Sequence, residues 1–349
     1  MQLLDEIPDN TAAEEWFEKA RWGDTRSCGH CGATDTVRIK SGKPMKYRCR
    51  TCKKHFNVRT GTFLKGTHIP LRHWVYTIYL MMTNLKGVSS MKIHRELNIT
   101  QKSAWYMMHR IREAMDTAPP SMFSGEVEVD ETYIGGKESN KHSSKKLKQG
   151  RGAVGKKAIV GVKERESKEV KAEVVPGTSR VIIEDFVDSN VKQESKVYTD
   201  DAKAYKGLKK KGYKHESVKH SVGEYVNEQA HTNGIESFWS MFKRGYVGTY
   251  HRMSLKHLHR YVGEFVRRQN IRKRDTKDQM REVRRGYYAG RNNEPSLNES
   301  KEFNIGLIVR HAGLELNYGL LHMGYIFPYK SAEQEPLLPS ADYEPQEAA

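Results

Sequence analysis

Long hydrophobic runs are absent from this sequence. No stretch of about 18 consecutive apolar residues, the length needed to cross a bilayer, occurs in it. The opening segment MQLLDEIPDN is acidic and lacks the apolar centre of a secretory signal. The sequence therefore predicts neither a membrane protein nor an exported one, and we expect a cytoplasmic location.

Acidic residues are fewer than basic residues in this sequence. The 349 residues contain 43 Asp and Glu against 60 Lys and Arg, a formal net charge of +17 with a pI of about 9.5. Such an excess favours a polyanionic partner, with nucleic acid ahead of a membrane surface. The length allows two or three domains and at least one sizeable core.

Cysteine is scarce, and the few cysteines are clustered. Two pairs, Cys28-Gly-His-Cys31 and Cys49-Arg-Thr-Cys52, are separated by 17 residues. This spacing is typical of a zinc ribbon, in which four thiolates surround one Zn²⁺. Two disulfides are the alternative, which a cytoplasmic compartment disfavours. We expect the segment to need zinc for folding, because it has no other core. Whether it contacts DNA or protein stays open.

Three helical segments follow the cysteines. LRHWVYTIYLMMTNL is the first, SSMKIHREL with a serine cap is the second, and QKSAWYMMHRIREAM, capped by Thr100, is the third. A short helix, a tight turn and a basic, aromatic helix indicate a helix-turn-helix that reads the major groove. The residues expected to face DNA are Gln101, Lys102, Ser103 and Tyr106. The alternative is a plain three-helix packing unit with Trp105, Met108 and Ile111 in its core.

Three carboxylates stand where a folded domain can bring them together. Valines and carboxylates alternate in EVEVDETYIGG, which predicts a strand ending at Asp130. Asp200 ends a second short strand, and after 35 intervening residues Glu236 begins a helical run. Carboxylates this close repel unless a cation neutralises them, and hard oxygen ligands suit Mg²⁺ or Mn²⁺. Two such ions would support an in-line phosphoryl transfer. Coincidence is the alternative, because the chain has many acidic residues.

Three segments carry a family resemblance: VDETYIGG, VYTDDAKAY and HTNGIESFWSMFKRGYVGTYHRMSLKHLHRYVGEF. They resemble bacterial insertion-sequence transposases of the DDE superfamily, in the ISXO2-like branch with a zinc ribbon, a helix-turn-helix and an RNase H-like catalytic domain. The resemblance extends from about Trp16 to about Arg274. It implies that Asp130, Asp200 and an acidic or amide third residue bind two Mg²⁺ ions. It also implies cleavage and strand transfer of double-stranded DNA at element ends, by a protein that forms a homo-oligomer on DNA at the bacterial nucleoid.

The third metal-binding position has two contenders in this chain. Parts of the branch carry Asn there, and Asn233 lies three residues before Glu236. Glu236 is favoured, because a charged oxygen binds Mg²⁺ better than a neutral amide. Lys243 lies seven residues after Glu236, two helical turns along the same face, where it would meet a DNA phosphate, and Arg244 follows it.

The sequence predicts a multidomain layout. We expect an N-terminal helix and zinc ribbon over residues 1–62, a helix-turn-helix over 63–120, an α/β RNase H-like domain with a mixed five-stranded sheet over 121–275, and a divergent segment with a disordered acidic tail over 276–349. Pro119-Pro120 is the expected linker between the second and third of these.

Within the third domain, the predicted order begins with three strands, a helix and a fourth strand. A short helix over AKAYKGLKKKG, a fifth strand and two helices follow. In the final helix, the side chains expected to face the core are those of Leu255, Leu258, Tyr261, Val262 and Phe265. The lysine-rich loop 137–157 is either a segment that tracks a DNA backbone or a solvated loop.

A DNA transposase is the leading functional hypothesis. A sequence-specific DNA-binding regulator with an inactive catalytic fold is the first alternative. A nuclease that cuts without joining is the second.

Overall fold

The computed structural model describes residues 5–115, 122–136, 140–147, 153–200, 202–218, 231–281 and 283. The expected linker at Pro119-Pro120, most of the C-terminal segment 276–349 and parts of the lysine-rich loop lie outside these residues. No helix within the described ranges is long and apolar enough to span a membrane.

The N-terminal part combines one helix with a small sheet. Helix α1 (Asn10–Trp22) is capped by Asp9, whose carboxylate accepts a hydrogen bond from the Ala12 amide. Three short strands form an antiparallel sheet in the order β1-β2-β3. Their bounds are Thr36–Arg38 for β1, Tyr47–Cys49 for β2 and His55–Phe56 for β3.

The ribbon does not stand alone, contrary to the expectation that its segment has no core apart from the metal. Phe17 of α1 and Phe56 of β3 are fully buried in one apolar cluster with Trp74 of the following helix. Apolar side chains brought together from several elements gain more by sharing one buried volume than by covering separate small ones. The boundary near residue 62 therefore crosses a continuous core, and the domain limits stay predictions.

The next three helices are α2 (Leu71–Thr83), α3 (Ser90–Leu97) and α4 (Gln101–Met115). Ser89 caps α3 by accepting from the Lys92 amide, and the Thr100 hydroxyl accepts from the Ser103 amide at the start of α4. Both predicted caps are confirmed. Asn98 adopts a left-handed conformation (φ +50°) in the three-residue turn between α3 and α4.

A mixed sheet of five strands follows, in the order β6-β5-β4-β7-β8. Strands β4, β5 and β6 pair antiparallel, whereas β7 runs parallel to β4 and β8 runs parallel to β7. The bounds are Glu126–Ile134 for β4, Lys157–Glu164 for β5, Val170–Val175 for β6, Lys196–Asp200 for β7 and Lys214–Val218 for β8.

Helices cover both faces of this sheet. Helix α5 (Arg180–Asn190) packs on one face, against the alternate residues Val127 and Val129 of β4. Helices α6 (Asn233–Gly245) and α7 (Leu258–Ile271) pack on the other face, against Ile159 of β5 and Val170 of β6. A π-helical turn over Tyr246–Tyr250 extends α6.

Two local predictions in this domain are wrong. The segment AKAYKGLKKKG forms two 3₁₀ turns, Lys203–Tyr205 and Leu208–Lys211, and no α-helix. Gly207 lies between the two turns, against the side chains of Glu184 and Arg180 on α5. Leu255 is also exposed, because it belongs to a 3₁₀ turn that precedes α7.

A buried ion pair joins α4 to α7. Arg112 Nε donates to Glu264 Oε2 at 2.6 Å, and the two side chains are 1% and 0% exposed. The Tyr250 hydroxyl also donates to Glu264 Oε1, at 3.0 Å. The guanidinium of Arg268 lies 3.2 Å from the same oxygen. The opposite charges and hydrogen bonds offset the cost of burial, and the charge of Arg112 lowers the pKa of Glu264 although burial opposes it. This contact holds α4 against the helices beside the sheet.

Candidate functional site

The four cysteines converge at one end of the N-terminal sheet. Cys28 Sγ lies 3.7 Å from Cys52 Sγ, and Cys31 Sγ lies 3.7 Å from Cys49 Sγ. Sulfurs placed tetrahedrally at about 2.3 Å from a zinc ion would be about 3.8 Å apart. The four sulfur atoms all lie within 4.8 Å of one another. No other group of three or more His, Cys, Asp or Glu residues in the described part of the chain brings its ligand atoms this close together. The spacing fits a tetrahedral metal site and excludes disulfides.

Backbone amides support the thiolates. The Cys52 amide donates to Cys49 Sγ and the His30 amide donates to Cys28 Sγ. The first of these bonds lowers the pKa of the Cys49 thiol to about 6, whereas burial raises that of Cys28 to about 11. A thiol with a lowered pKa loses its proton to a metal more readily.

The expected DNA contacts lie at the N-terminal half of α4. Gln101, Lys102 and Tyr106 are exposed, but the Ser103 hydroxyl is hydrogen-bonded to Thr100 within the cap. Trp105 is 38% exposed, so the alternative that placed it in the core is wrong for this residue. Met108 and Ile111 are buried as that alternative expected.

Asp130 and Asp200 stand on neighbouring parallel strands. Glu126 pairs with Lys196 and Glu128 with Tyr198, and the same offset of 70 residues sets Asp130 level with Asp200. Asp200 ends β7, whereas Asp130 lies inside β4 opposite Gly161 of β5. The expectation that Asp130 ends its strand is wrong, because β4 continues pairing with β5 to Ile134.

Helix α6 brings Glu236 to the same face of the sheet. Its apolar side, Ile235, Phe238, Trp239 and Phe242, is buried as the helical spacing predicted. Trp239 packs so closely on β5 that a Cβ atom on Gly161 would lie 2.6 Å from its indole. Asp130 and Glu236 consequently line one cavity of about 600 Å³.

Basic residues share that cavity. Lys243 and Arg244 line it together with Asp130 and Glu236, as two helical turns of separation require. Asn233 is exposed at the first turn of α6 and is not among the lining residues. Of the two candidates for the third metal-binding position, Glu236 lines the cavity and Asn233 does not.

The pKa of Asp130 is raised to about 7. Burial is the largest cause, and the negative charges of Glu131, Asp200 and Glu236 raise it further. Glu131 itself points to the opposite face, where its carboxylate accepts a hydrogen bond from the Tyr205 hydroxyl. A site of this kind favours a bound cation, since a cation removes the repulsion.

Sequence reasoning missed Glu128, which is 2% exposed. Glu128 Oε2 accepts from the Ile235 amide at 2.9 Å, and Oε1 accepts from Arg165 Nε at 2.9 Å. Arg165 also donates to the His231 carbonyl, at 2.7 Å. The carboxylate thus satisfies an amide at the positive end of α6 and fixes the start of that helix to β4. The alternation in EVEVDE was the available signal, because it sets Glu128 on the same face as Asp130.

Comparisons with known proteins show what two parts of this chain are similar to. A family model described as the ISXO2-like transposase domain matches residues 122–270, and one described as the transposase zinc-ribbon domain matches residues 8–55. A protein of Halobacterium salinarum, described as an uncharacterized protein in transposable element ISH50, is 26% identical over 284 residues. The match covers 78% of this chain and 94% of that relative. Residues 122–270 are therefore similar to the ISXO2-like transposase domain, and residues 8–55 are similar to the transposase zinc ribbon.

Proposed function

We propose that this protein binds the ends of an insertion sequence, cleaves DNA there and joins the released end to target DNA. One observation carries the proposal: two carboxylates level with each other on parallel strands, with a third carboxylate across from Asp130 on α6. The strand order β6-β5-β4-β7-β8, with helices on both faces, supports an RNase H-like fold. The transposase domains support DNA as the substrate.

Asp130, Asp200 and Glu236 would hold divalent cations, Mg²⁺ or Mn²⁺. The raised pKa of Asp130 supports this assignment, because the surrounding carboxylates favour a cation at that point. When bound, such ions activate a water or a 3′-hydroxyl and stabilise the leaving oxygen of an in-line displacement. The four cysteines would hold one Zn²⁺, since their sulfur spacing fits its tetrahedral geometry.

The remaining residues of the site would orient DNA. Lys243 and Arg244 line the carboxylate cavity and would contact the phosphate being attacked. Helices α3 and α4, separated by the turn at Asn98, would form the helix-turn-helix, with Gln101, Lys102 and Tyr106 at the bases. Ser103 fits this role less well, because its hydroxyl is already bonded to Thr100. Assembly as a homo-oligomer on DNA and a cytoplasmic location remain expectations.

The test separates binding from chemistry. Purified protein is incubated with labelled end DNA and a target plasmid in Mg²⁺, and both cleaved and joined products are measured. Asp130→Ala and Asp200→Ala should abolish both products while end binding stays near wild type, because DNA recognition uses α4. Asp188→Asn, which alters an exposed carboxylate on α5 at the other face of the sheet, is the matched control.

The outcomes distinguish the three functional hypotheses. Joined product that depends on Asp130 supports a transposase. Cleavage without joining indicates a nuclease. End binding with no metal-dependent product from the wild-type protein indicates a regulator with an inactive catalytic fold.

A further inference from the structure

Two cavities lie side by side and share part of their lining, between α4 and the segment that leads into α7. Their volumes are about 830 Å³ and about 420 Å³, and both are lined by Trp105, His251, Arg252 and Tyr261. The larger cavity is also lined by Lys256 and His257. We name this feature the α4–α7 groove.

The groove is cationic. No carboxylate is among the described residues that line either cavity. Arg252 and Lys256 are both exposed and form no ion pair with any residue in the described ranges. Another lining cation, Arg112, is already neutralised by Glu264. Two positive charges that have no ion-pair partner among the described residues, in a concave surface with no described carboxylate in its lining, favour an anionic ligand.

An aromatic side chain stands among these charges. Trp105 is the exposed tryptophan of the described residues, and its ring centroid lies 4.1 Å from that of His109 and 5.6 Å from that of His257. The two histidine rings pack against the indole, which also lines both cavities. An exposed aromatic ring next to cations is the combination that binds bases and phosphates of a nucleic acid strand.

The groove links the recognition helix to the carboxylates. At one end the smaller cavity is lined by Gln101, at the first turn of α4. At the other end the larger cavity is lined by Tyr246, and the next residue, Val247, lines the cavity of Asp130 and Glu236. A DNA strand that ran from α4 to the carboxylates would have these lining residues along its way.

We propose that the α4–α7 groove binds the DNA strand of the element end between the bases read by α4 and the phosphate that is cleaved. Arg252 and Lys256 contact backbone phosphates, and Trp105 stacks on a base. This inference rests on the proposed function and adds to it a site for the strand leading to the cleaved bond. Target DNA is the competing occupant, and the experiment separates the two.

The first measurement is the salt dependence of binding to an end duplex. Each lost phosphate contact reduces the slope of log K against log salt concentration by about 0.9, so Arg252→Ala/Lys256→Ala should reduce it by about 2. Lys209→Ala/Lys210→Ala removes the same charge from exposed lysines on a 3₁₀ turn beside β8 and should leave the slope unchanged. Equal slopes for the two double variants would overturn the proposal.

The second measurement locates the base contact. An end duplex carrying 5-iodouracil between the bound sequence and the cleavage point should cross-link to Trp105, as located by mass spectrometry. Trp105→Ala should weaken binding by about 5-fold to 150-fold, and Trp105→Phe should recover most of it, because a phenyl ring still stacks. Thermal melting of both variants controls for folding, and a cross-link at any other element would contradict the assignment.

The third measurement separates the two DNA substrates and the two proposals. The Arg252→Ala/Lys256→Ala variant should lose end cleavage at moderate salt in parallel with its loss of end binding. If it binds and cleaves the end like wild type and loses only joining to the plasmid, the groove serves target DNA and this inference is wrong. If the wild-type protein does not cleave at all, the proposed function fails, while the slope and the cross-link still decide the groove.

Discussion

Glu128 on β4 lies so close to Gly234 on α6 that a Cβ atom on the glycine would be 2.5 Å from Glu128 Oε2. The carboxylate has little freedom to move away, because Arg165 and the Ile235 amide both bind it. Gly234 precedes Glu236 by two residues, and Glu128 precedes Asp130 by two on the neighbouring element. The contact therefore lies next to two carboxylates of the proposed metal site, Asp130 on β4 and Glu236 on α6.

Replacement of Gly234 by alanine tests this contact. The added methyl group would push α6 away from β4, and we expect a loss of about 1–3 kcal/mol in the free energy of unfolding. Cleavage should fall and should need more Mn²⁺, because Glu236 moves with the helix. Urea unfolding and a Mn²⁺ titration measure the two effects. Gly177→Ala, where the new methyl group makes only ordinary contact with Ile182, is the control and should alter neither.

The choice between Glu236 and Asn233 is tested by their single variants. Glu236→Gln should reduce strand transfer by at least about 100-fold, because an amide leaves one divalent ion weakly held. Asn233→Ala should reduce it less, since Asn233 does not line the cavity that Asp130 and Glu236 share. Cleavage assays across several Mn²⁺ concentrations compare the two. Near wild-type activity in Glu236→Gln, with a severe loss in Asn233→Ala, would reverse the assignment.

Loss of the zinc site should affect more than the ribbon. Cys49→Ser should lower the metal content from about one zinc per chain. Because Cys49 belongs to the same apolar core as Phe17 of α1 and Trp74 of α2, hydrogen exchange should also increase in those helices. Exchange in the five-stranded sheet should stay unchanged. Thr51→Ala, at an exposed position between the second pair of cysteines, is the control. Protection of α1 and α2 that survives zinc loss would show that the ribbon folds separately.

His109 predicts a pH dependence of stability. Burial, with the charge of Arg112 next, lowers the pKa of His109 to about 3, below an unfolded value of about 6.5. The unfolded chain then binds a proton that the folded protein does not, so stability falls as the pH drops from about 6.5 toward 3. At pH 5 this costs about 1–2 kcal/mol.

Urea unfolding at pH 7.5 and pH 5 measures the difference. His109→Gln should remove most of it, because glutamine does not titrate. His259→Gln, at an exposed position on α7, should behave like wild type. The same pH dependence in all three proteins would assign it to other groups.

Patterns among residues close together in the sequence predicted much of the fold. Cysteine spacing predicted the ribbon, and single polar residues before α3 and α4 predicted both caps, because these features depend on neighbours within a few residues. The apolar face of α6 followed from helical periodicity in the same way. The resemblance of three segments to ISXO2-like transposases predicted the domain that the family model matches. All of this was available from the sequence by itself.

Contacts between distant segments decided the rest. The segment predicted as a helix forms 3₁₀ turns at Lys203–Tyr205 and Leu208–Lys211, and Gly207 between them packs against α5. The exposure of Trp105 depends on how α4 meets α7, and the burial of Glu128 depends on Ile235, which is 107 residues away along the chain. No local pattern encodes such pairs, because their energy comes from burial and hydrogen bonding that exist only after the elements pack together. The sequence determined which elements and which carboxylates are present, and the tertiary structure decided which of them meet.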